Sequence, residues 1–116
     1  MYKRHRLQGR DVFAELRKRD AKRWRHPLAV LTVTTNDLTV SRFGFSASRR
    51  VGNAVERNRA KRLIRETVRL NLDAIQPGWD CLFVARSATV SASFDDVESA
   101  VLQLLRRANV LTEESE

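Results

Sequence analysis

The stretch of the chain from Arg49 to Arg69 reads RRVGNAVERNRAKRLIRETVR, and its pattern determines the interpretation of the residues around it. Its apolar residues recur at helical spacing, which predicts an amphipathic helix. Asn53 is a favourable N-cap residue, and Glu56 three positions later completes a capping-box pattern. The helix is therefore predicted to begin after Asn53 and to run to about Leu72.

One face of this helix is predicted to be strongly basic. The stretch contains eight Lys and Arg residues but only two Glu residues. At about 100° per residue, the basic stripe contains Arg57, Lys61, Arg65 and Arg69, with Asn58 and Arg62 beside it. The opposite face contains Ala60, Leu63, Ile64 and Thr67, and is typical of packing against a core. A folded helix with this unbalanced charge indicates a polyanionic partner.

The charge of the whole chain supports the same conclusion. The 116 residues have a formal net charge of +8, and the charge is unevenly distributed. Residues 1–71 contain 19 Lys/Arg and 6 Asp/Glu, a balance of +13, whereas residues 72–116 contain 3 and 8, a balance of −5. A nucleic acid or an anionic membrane could be the partner. No segment approaches the roughly 20 apolar residues of a membrane span, and the N-terminus lacks the apolar region of a secretory signal. No membrane partner is expected.

The remaining elements predict a single α+β domain over residues 1–116, with helices packed against one small sheet. A first helix is expected from Asp11 to about Arg19. Strands are expected in LAVLTVTT, TVSRFGFSAS and WDCLFVAR, with a possible short strand near Trp24. Asn36-Asp37 is a plausible hairpin turn between the first two. The last strand is nearly all apolar, which favours a central position. A final helix is capped by Ser93 with Asp96, and the basic end (1–9) and the acidic end (110–116) are expected to be flexible.

Signatures of protein catalysis are scarce, and no catalytic residue is predicted. The two His residues and the single Cys81 match no zinc-ligand spacing, and Cys81 is interpreted as a small buried core residue of a protein in a reducing cytoplasm. Asn58 contacts RNA or a hydrated metal ion, or it is simply exposed; the sequence leaves both open. From its pattern alone, Phe13 is more typical of a core residue than of a stacking platform for a base.

The segment FGFSASRRVGNAVERNRAKRLIRE resembles the signature of the bacterial ribonuclease P protein component, which is centred on an RNR motif, here Arg57-Asn58-Arg59. RHRLQGRDVF is similar to the N-terminal segment of that family, and WDCLFVAR with the last helix is similar to its closing strand and helix. The resemblance implies a two-layer α/β sandwich with three helices and a mostly antiparallel sheet of about four strands, in the order α-β-β-(β)-α-β-α. It also implies a left-handed βαβ crossover, where the general rule would predict a right-handed one.

In function, the resemblance implies a small subunit that joins a large catalytic RNA and helps it remove the 5′ leader of precursor tRNA. The RNA would contain the active site and bind most of the Mg²⁺, and this chain alone would not cleave. Catalytic ribonuclease P RNA and precursor tRNA are the implied partners, in the cytoplasm, and no DNA is expected. The alternative is a non-enzymatic RNA-binding module, such as a ribosomal or RNA-chaperone protein.

The resemblance assigns roles to three groups of residues. The RNR helix would bind RNA through Arg57, Asn58, Arg59, Lys61, Arg62, Arg65 and Arg69. The preceding strand end and turn would add Ser46, Ser48, Arg49, Arg50 and Asn53. A cleft for the single-stranded leader would contain Phe13, Arg17 and Leu31. Because Arg17 and Leu31 replace residues that are often aromatic in the family, leader binding is expected to depend more on charge and less on stacking.

Overall fold

Four strands and two helices form the part of the chain that the structure describes. The computed structural model describes residues 5–7, 16 and 21–112. The strands are β1 (Lys22–Arg25), β2 (Ala29–Thr35), β3 (Arg42–Ala47) and β4 (Trp79–Ala85). The helices are α1 (Ala54–Leu70) and α2 (Phe94–Arg107), and short 3₁₀ turns follow α1 and β4 at Leu72–Ala74 and Ser87–Ser91. Strand β1 confirms the short strand predicted near Trp24.

The strands form one mixed sheet in the order β1-β2-β4-β3. The β1/β2 and β2/β4 pairs are antiparallel, and β3 and β4 are parallel neighbours connected through α1. The predicted hairpin at Asn36-Asp37 is wrong, because β4 lies between β2 and β3. The apolar β4 takes the central position expected of it, and the Asn36 backbone N–H donates to the Gly78 carbonyl at 2.8 Å. The residue that follows β2 is therefore hydrogen-bonded to the residue that precedes β4. The left-handed β3–α1–β4 crossover stays a prediction.

The helix predictions are confirmed for α1 and α2. Helix α2 begins at the predicted cap, where the Ser93 hydroxyl accepts a hydrogen bond from the Asp96 N–H at 3.1 Å. Two α-helices, not three, are present in the described residues, because the predicted helix at 11–19 lies outside them apart from Leu16. Leu16 itself is buried.

Residues 5–7 and 110–112 are hydrogen-bonded to the domain. The Leu7 N–H donates to the Phe43 carbonyl at 2.9 Å, so residues 5–7 lie against the free edge of β3. Val110 is fully buried, and its carbonyl accepts a hydrogen bond from the Gln76 N–H at 2.8 Å. Residues 5–7 and 110–112 therefore contact the domain through their backbone and apolar side chains, and the flexibility of the two ends stays a prediction.

The hydrophobic core lies between the helices and one face of the sheet. Alternate strand residues point into it because side chains of a strand alternate between faces. The sheet contributes Ala29, Leu31, Val33, Phe43, Cys81, Phe83 and Ala85, and the helices contribute Ala60, Ile64, Val68, Val97, Val101, Leu104 and Leu105. Burial raises the pKa of the Cys81 thiol, as expected for a core residue. The opposite face of the sheet has no helix of the described residues packed on it.

Candidate RNA interface

A tight turn connects β3 to α1 and presents two arginines. The Val51 N–H donates to the Ser48 carbonyl at 3.0 Å, and Arg49 and Arg50 are exposed between them. Gly52 has a φ of 149°, and a Cβ there would lie 2.3 Å from a carboxylate oxygen of Glu56. Glycine is therefore required where the Glu56 side chain folds back over the start of the helix.

The Asn53 side chain has a structural role at this start. Its carbonyl oxygen and the Glu56 carboxylate form the predicted capping box. The oxygen of Asn53 is therefore already used by the helix, which makes Asn53 a residue that holds the interface in place. No contact of Asn53 with RNA is needed to explain its position.

The outward face of α1 differs slightly from the predicted stripe. The buried residues Ala60, Ile64 and Thr67 confirm the predicted core face, whereas Leu63 is only half-buried. Arg57 and Lys61 are also half-buried, at the flank of the helix. The fully outward polar positions are Asn58, Arg59, Arg62, Arg65 and Arg69. The predicted stripe is therefore wrong at Arg57 and Lys61, which are half-buried. The exposed basic face is centred on Arg62 instead.

Most cations of this face have no acidic partner among the described residues. Arg69 is the exception, because its Nε donates to Glu66 at 3.0 Å in an ion pair within the helix. This pair raises the pKa of Arg69 and lowers that of Glu66. The Arg65 guanidinium lies over the Phe45 ring, 5.6 Å from its centroid, in cation–π geometry. The outward face of α1 is thus strongly positive and suits an anionic partner.

Two uncharged residues interrupt the charges. Asn58 is exposed, and its side chain makes no hydrogen bond to another described residue. Val55 in the first turn has 74% of its surface exposed. The geometry is compatible with both interpretations of Asn58 that the sequence left open.

A second surface lies on the open face of the sheet, as a groove of about 420 Å³. Its floor is formed by small or apolar side chains of β2, β4 and β3, and its far side by cations of β1 and of the residue after β4. Buried Leu16 also contributes to it. The lining residues are Leu16, Arg23, Arg25, Val30, Thr32, Ser46, Leu82, Val84 and Arg86. A polyanionic strand with unpaired bases fits a groove of this composition.

The predicted cleft residues are distributed differently. Leu31 is 0% exposed, and it faces the helices, because its neighbours Val30 and Thr32 face the groove. Its assignment to the leader cleft is therefore wrong; the period of two along β2 turns it into the core. Ser46 lies in the groove, not with the basic turn. Phe13 and Arg17 lie outside the described residues.

Sequence reasoning missed the cations of the groove, Arg23, Arg25 and Arg86. A signal was present, since KRWR alternates about Trp24, which packs on the core side and leaves both flanking arginines on the other face. Arg42 shares that face but is not free. It donates two hydrogen bonds to Asp80, Nε to Oδ1 at 2.9 Å and Nη2 to Oδ2 at 2.7 Å.

Among residues 5–7, 16 and 21–112, no group of three or more His, Cys, Asp or Glu side chains could hold a metal ion. Within the same residues, no helix has the length and apolar character needed to cross a membrane.

The fold and the two basic surfaces define a small RNA-binding protein of the α+β class. The family model for ribonuclease P matches residues 1–109. The ribonuclease P protein component of Alkaliphilus oremlandii is 36% identical over 107 residues, covering 92% of this chain and 93% of the relative. That of Dehalococcoides mccartyi is 36% identical over 116 residues, covering 100% and 94%.

Solved structures agree. The ribonuclease P protein from Thermotoga maritima superposes with a TM-score of 0.80 at 30% identity, covering 88% of this chain and 96% of the other. The Staphylococcus aureus protein, at 24% identity, has the same fold, with a TM-score of 0.83 over 93% and 98%. The chain belongs to the ribonuclease P protein component family. It is a subunit of the ribonucleoprotein that processes tRNA, and RNA is its partner.

Proposed function

We propose that this chain binds two RNA elements at once in the ribonuclease P complex. The outward face of α1 and the Ser48–Val51 turn bind the catalytic RNA, and the groove on the open sheet face binds the 5′ leader of precursor tRNA. The observation that supports this division most strongly is the separation of the cations. One set lies on α1 and its preceding turn, and the other lies across the sheet at Arg23, Arg25 and Arg86.

The chain contributes binding, and the RNA subunit performs the endonucleolytic step. Three of the described acids support this assignment, because Glu56 caps α1, Glu66 pairs with Arg69, and Asp80 pairs with Arg42. These three are occupied in structural roles, and the described acids form no group of three or more that could hold a metal ion. Holding the leader in the groove positions the precursor and raises its affinity for the complex, which is the contribution of a positioning subunit.

Magnesium ions are proposed to be bound mainly by the RNA. Mg²⁺ prefers several oxygen ligands and retains much of its water, and the described residues offer no cluster of carboxylates near the basic face. The Asn58 amide could contribute one hydrogen bond to a hydrated ion that RNA holds. This chain then assists Mg²⁺ by neutralising nearby phosphates, so that the complex functions at a lower Mg²⁺ concentration.

Reconstitution tests this proposal. Ribonuclease P RNA from the same source is combined with the protein, and cleavage of precursor tRNA is followed over a Mg²⁺ titration. We expect efficient cleavage at a Mg²⁺ concentration at which the RNA alone is slow, and no cleavage by the protein alone. Cleavage by protein without RNA would disprove the division of labour.

A groove variant tests the second RNA element. Arg23→Gln should weaken binding of a precursor with a leader but leave a leaderless tRNA unaffected. Arg106→Gln is the matched control, because Arg106 is an exposed arginine of α2 that does not line the groove. Equal weakening of both substrates by Arg23→Gln would move the leader away from the open face.

A further inference from the structure

The groove runs across the strands, from the α1 side of the sheet to the β1 side. Register places Ser46 beside Val84, Val84 beside Val30, and Val30 beside Arg25. These four residues line the groove in that order, over three inter-strand spacings or about 15 Å. One end of the groove is therefore close to the basic turn before α1, and the other end lies at the outermost strand.

A second hollow continues the groove at its β1 end. It has a volume of about 490 Å³ and is lined by Arg25, His26, Pro27, Arg86, Ser87 and Ala88. Arg25 and Arg86 line both hollows, so the two are adjacent and share a pair of cations. We name this second hollow the corner pocket, since it lies where the β1–β2 turn meets the segment after β4.

Hydrogen bonds fix the walls of the corner pocket. His26 and Ala29 exchange backbone hydrogen bonds of 2.9 and 3.2 Å across the β1–β2 turn. The Leu28 carbonyl in this turn accepts hydrogen bonds from the Arg86 N–H at 2.9 Å and from the Thr89 hydroxyl. Arg107 of α2 donates to the Arg25 carbonyl at 2.7 Å. These hydrogen bonds hold the backbone around the corner pocket in place, so its walls are formed before a ligand binds.

The exposed chemistry of the corner pocket suits a nucleic-acid backbone. The Arg25 and Arg86 guanidinium groups have no acidic partner among the described residues and can each bind a phosphate in a bidentate way. The His26 Nδ1 accepts a hydrogen bond from the Leu28 N–H at 3.1 Å, which leaves the Nε2–H as a donor. The Ser87 hydroxyl adds another polar group beside it.

We infer that the corner pocket binds the distal part of the leader, the nucleotides farthest upstream of the cleavage site. This inference rests on the proposed function. Helix α1 and its turn hold the catalytic RNA near the Ser46 end of the groove, so the leader enters there, crosses the sheet, and leaves past Arg25 and Arg86. Proximal nucleotides occupy the groove, and distal nucleotides occupy the corner pocket.

The test uses the reconstituted complex and precursor tRNAs whose leaders lengthen one nucleotide at a time. The variant is His26→Asn with Ser87→Ala, which changes the corner pocket and leaves the groove residues intact. Asn at position 26 retains the turn, because its side-chain oxygen can accept from the N–H two residues on, as Asn36 does for Leu38 at 2.8 Å. We expect roughly fivefold weaker binding, the loss of one or two hydrogen bonds, only for leaders beyond a threshold length. Short leaders should bind as they do to the unmodified protein.

Each other result has a distinct meaning. Binding that is independent of leader length in the unmodified complex would contradict the proposed function itself. A length dependence that the variant leaves unchanged would overturn the corner pocket alone. Weakening at every leader length would place proximal nucleotides at the corner and overturn the direction of the path. As a second measurement, a photoreactive base in the distal leader should crosslink to Ser87 or Ala88, which line only the corner pocket, and the same base in the proximal leader should not.

Discussion

Asn53 and Glu56 exchange hydrogen bonds at the start of α1. The Asn53 Oδ1 accepts from the Glu56 N–H at 2.9 Å, and a Glu56 carboxylate oxygen accepts from the Asn53 N–H at 3.0 Å. We predict that Asn53→Ala lowers the free energy of unfolding by about 1 kcal/mol, the usual cost of losing an N-cap. Thermal unfolding followed by circular dichroism should show a melting temperature several degrees lower.

Asn53→Ser separates the structural role of this residue from direct RNA contact. Serine also accepts from the N3 backbone N–H, so the cap and the melting temperature should be retained. RNA affinity should also be retained if capping is the function of Asn53. A variant that melts normally but binds RNA tenfold more weakly would show that the amide contacts RNA.

The outward arginines of α1 should differ in their contribution to RNA binding. Arg62 is exposed without an acidic partner among the described residues, whereas Arg69 is paired with Glu66. We predict that Arg62→Gln reduces the slope of log affinity against log salt by about 0.9, the value for one phosphate contact on a duplex. Arg69→Gln, the matched control, should change the slope less, because Arg69 is already neutralised by Glu66. Binding of the catalytic RNA over a salt titration measures both.

Equal slopes for these two variants would show that the Glu66–Arg69 pair opens on binding. An unchanged slope for Arg62→Gln would place the RNA on the flank of the helix, at Arg57 and Lys61. The triple variant Arg57→Gln, Lys61→Gln, Arg65→Gln removes the two flank cations together with Arg65. We expect it also to reduce the slope of log affinity against log salt.

The basic helix could be predicted from the sequence because its information is local. A cap, a capping box and an apolar repeat lie within one segment, and each was found in the structure. The centre of the exposed face was displaced because successive members of an i, i+4 stripe drift by about 40° around the helix. Arg57 therefore lies on the same side as the buried Ile64 and Val68 and is half-buried, whereas Arg62 is exposed.

The sheet was less predictable because strand order depends on distant residues. Asn36-Asp37 suggested a hairpin turn, but the Asn36 side-chain amide donates a hydrogen bond to the Asp80 carboxylate at 2.8 Å, 44 positions later in the chain. The period of two shows which residues of β2 share a face of the sheet. It does not show which face packs against the helices and so becomes the core. Leu31 was consequently placed in the cleft by resemblance and lies in the core by geometry.

The Arg42–Asp80 pair should support the fold and not RNA binding. Asp80 is only 5% exposed, and its hydrogen bonds raise the pKa of the Arg42 guanidinium. We predict that Arg42→Gln lowers the free energy of unfolding by about 2 kcal/mol, because a buried carboxylate loses its charged partner. Arg49→Gln is the matched control; Arg49 is exposed and should change stability by less than about 0.5 kcal/mol. Urea unfolding measures both. RNA affinity should show the opposite order, and a larger loss of RNA affinity for Arg42→Gln would contradict the assignment.

The Cys81 thiol should make the stability of the fold depend on pH in the alkaline range. Burial raises its pKa in the native state above the unfolded value of about 8.5. Below that value both states keep the proton, whereas above it only the unfolded state loses it, so stability falls as pH rises. Cys81→Ala removes this titration. We predict that the stability advantage of the native chain over Cys81→Ala shrinks by about 2 kcal/mol between about pH 8 and pH 10, measured by urea unfolding at each pH. A constant difference, or rapid alkylation of the native thiol at pH 8, would contradict its burial.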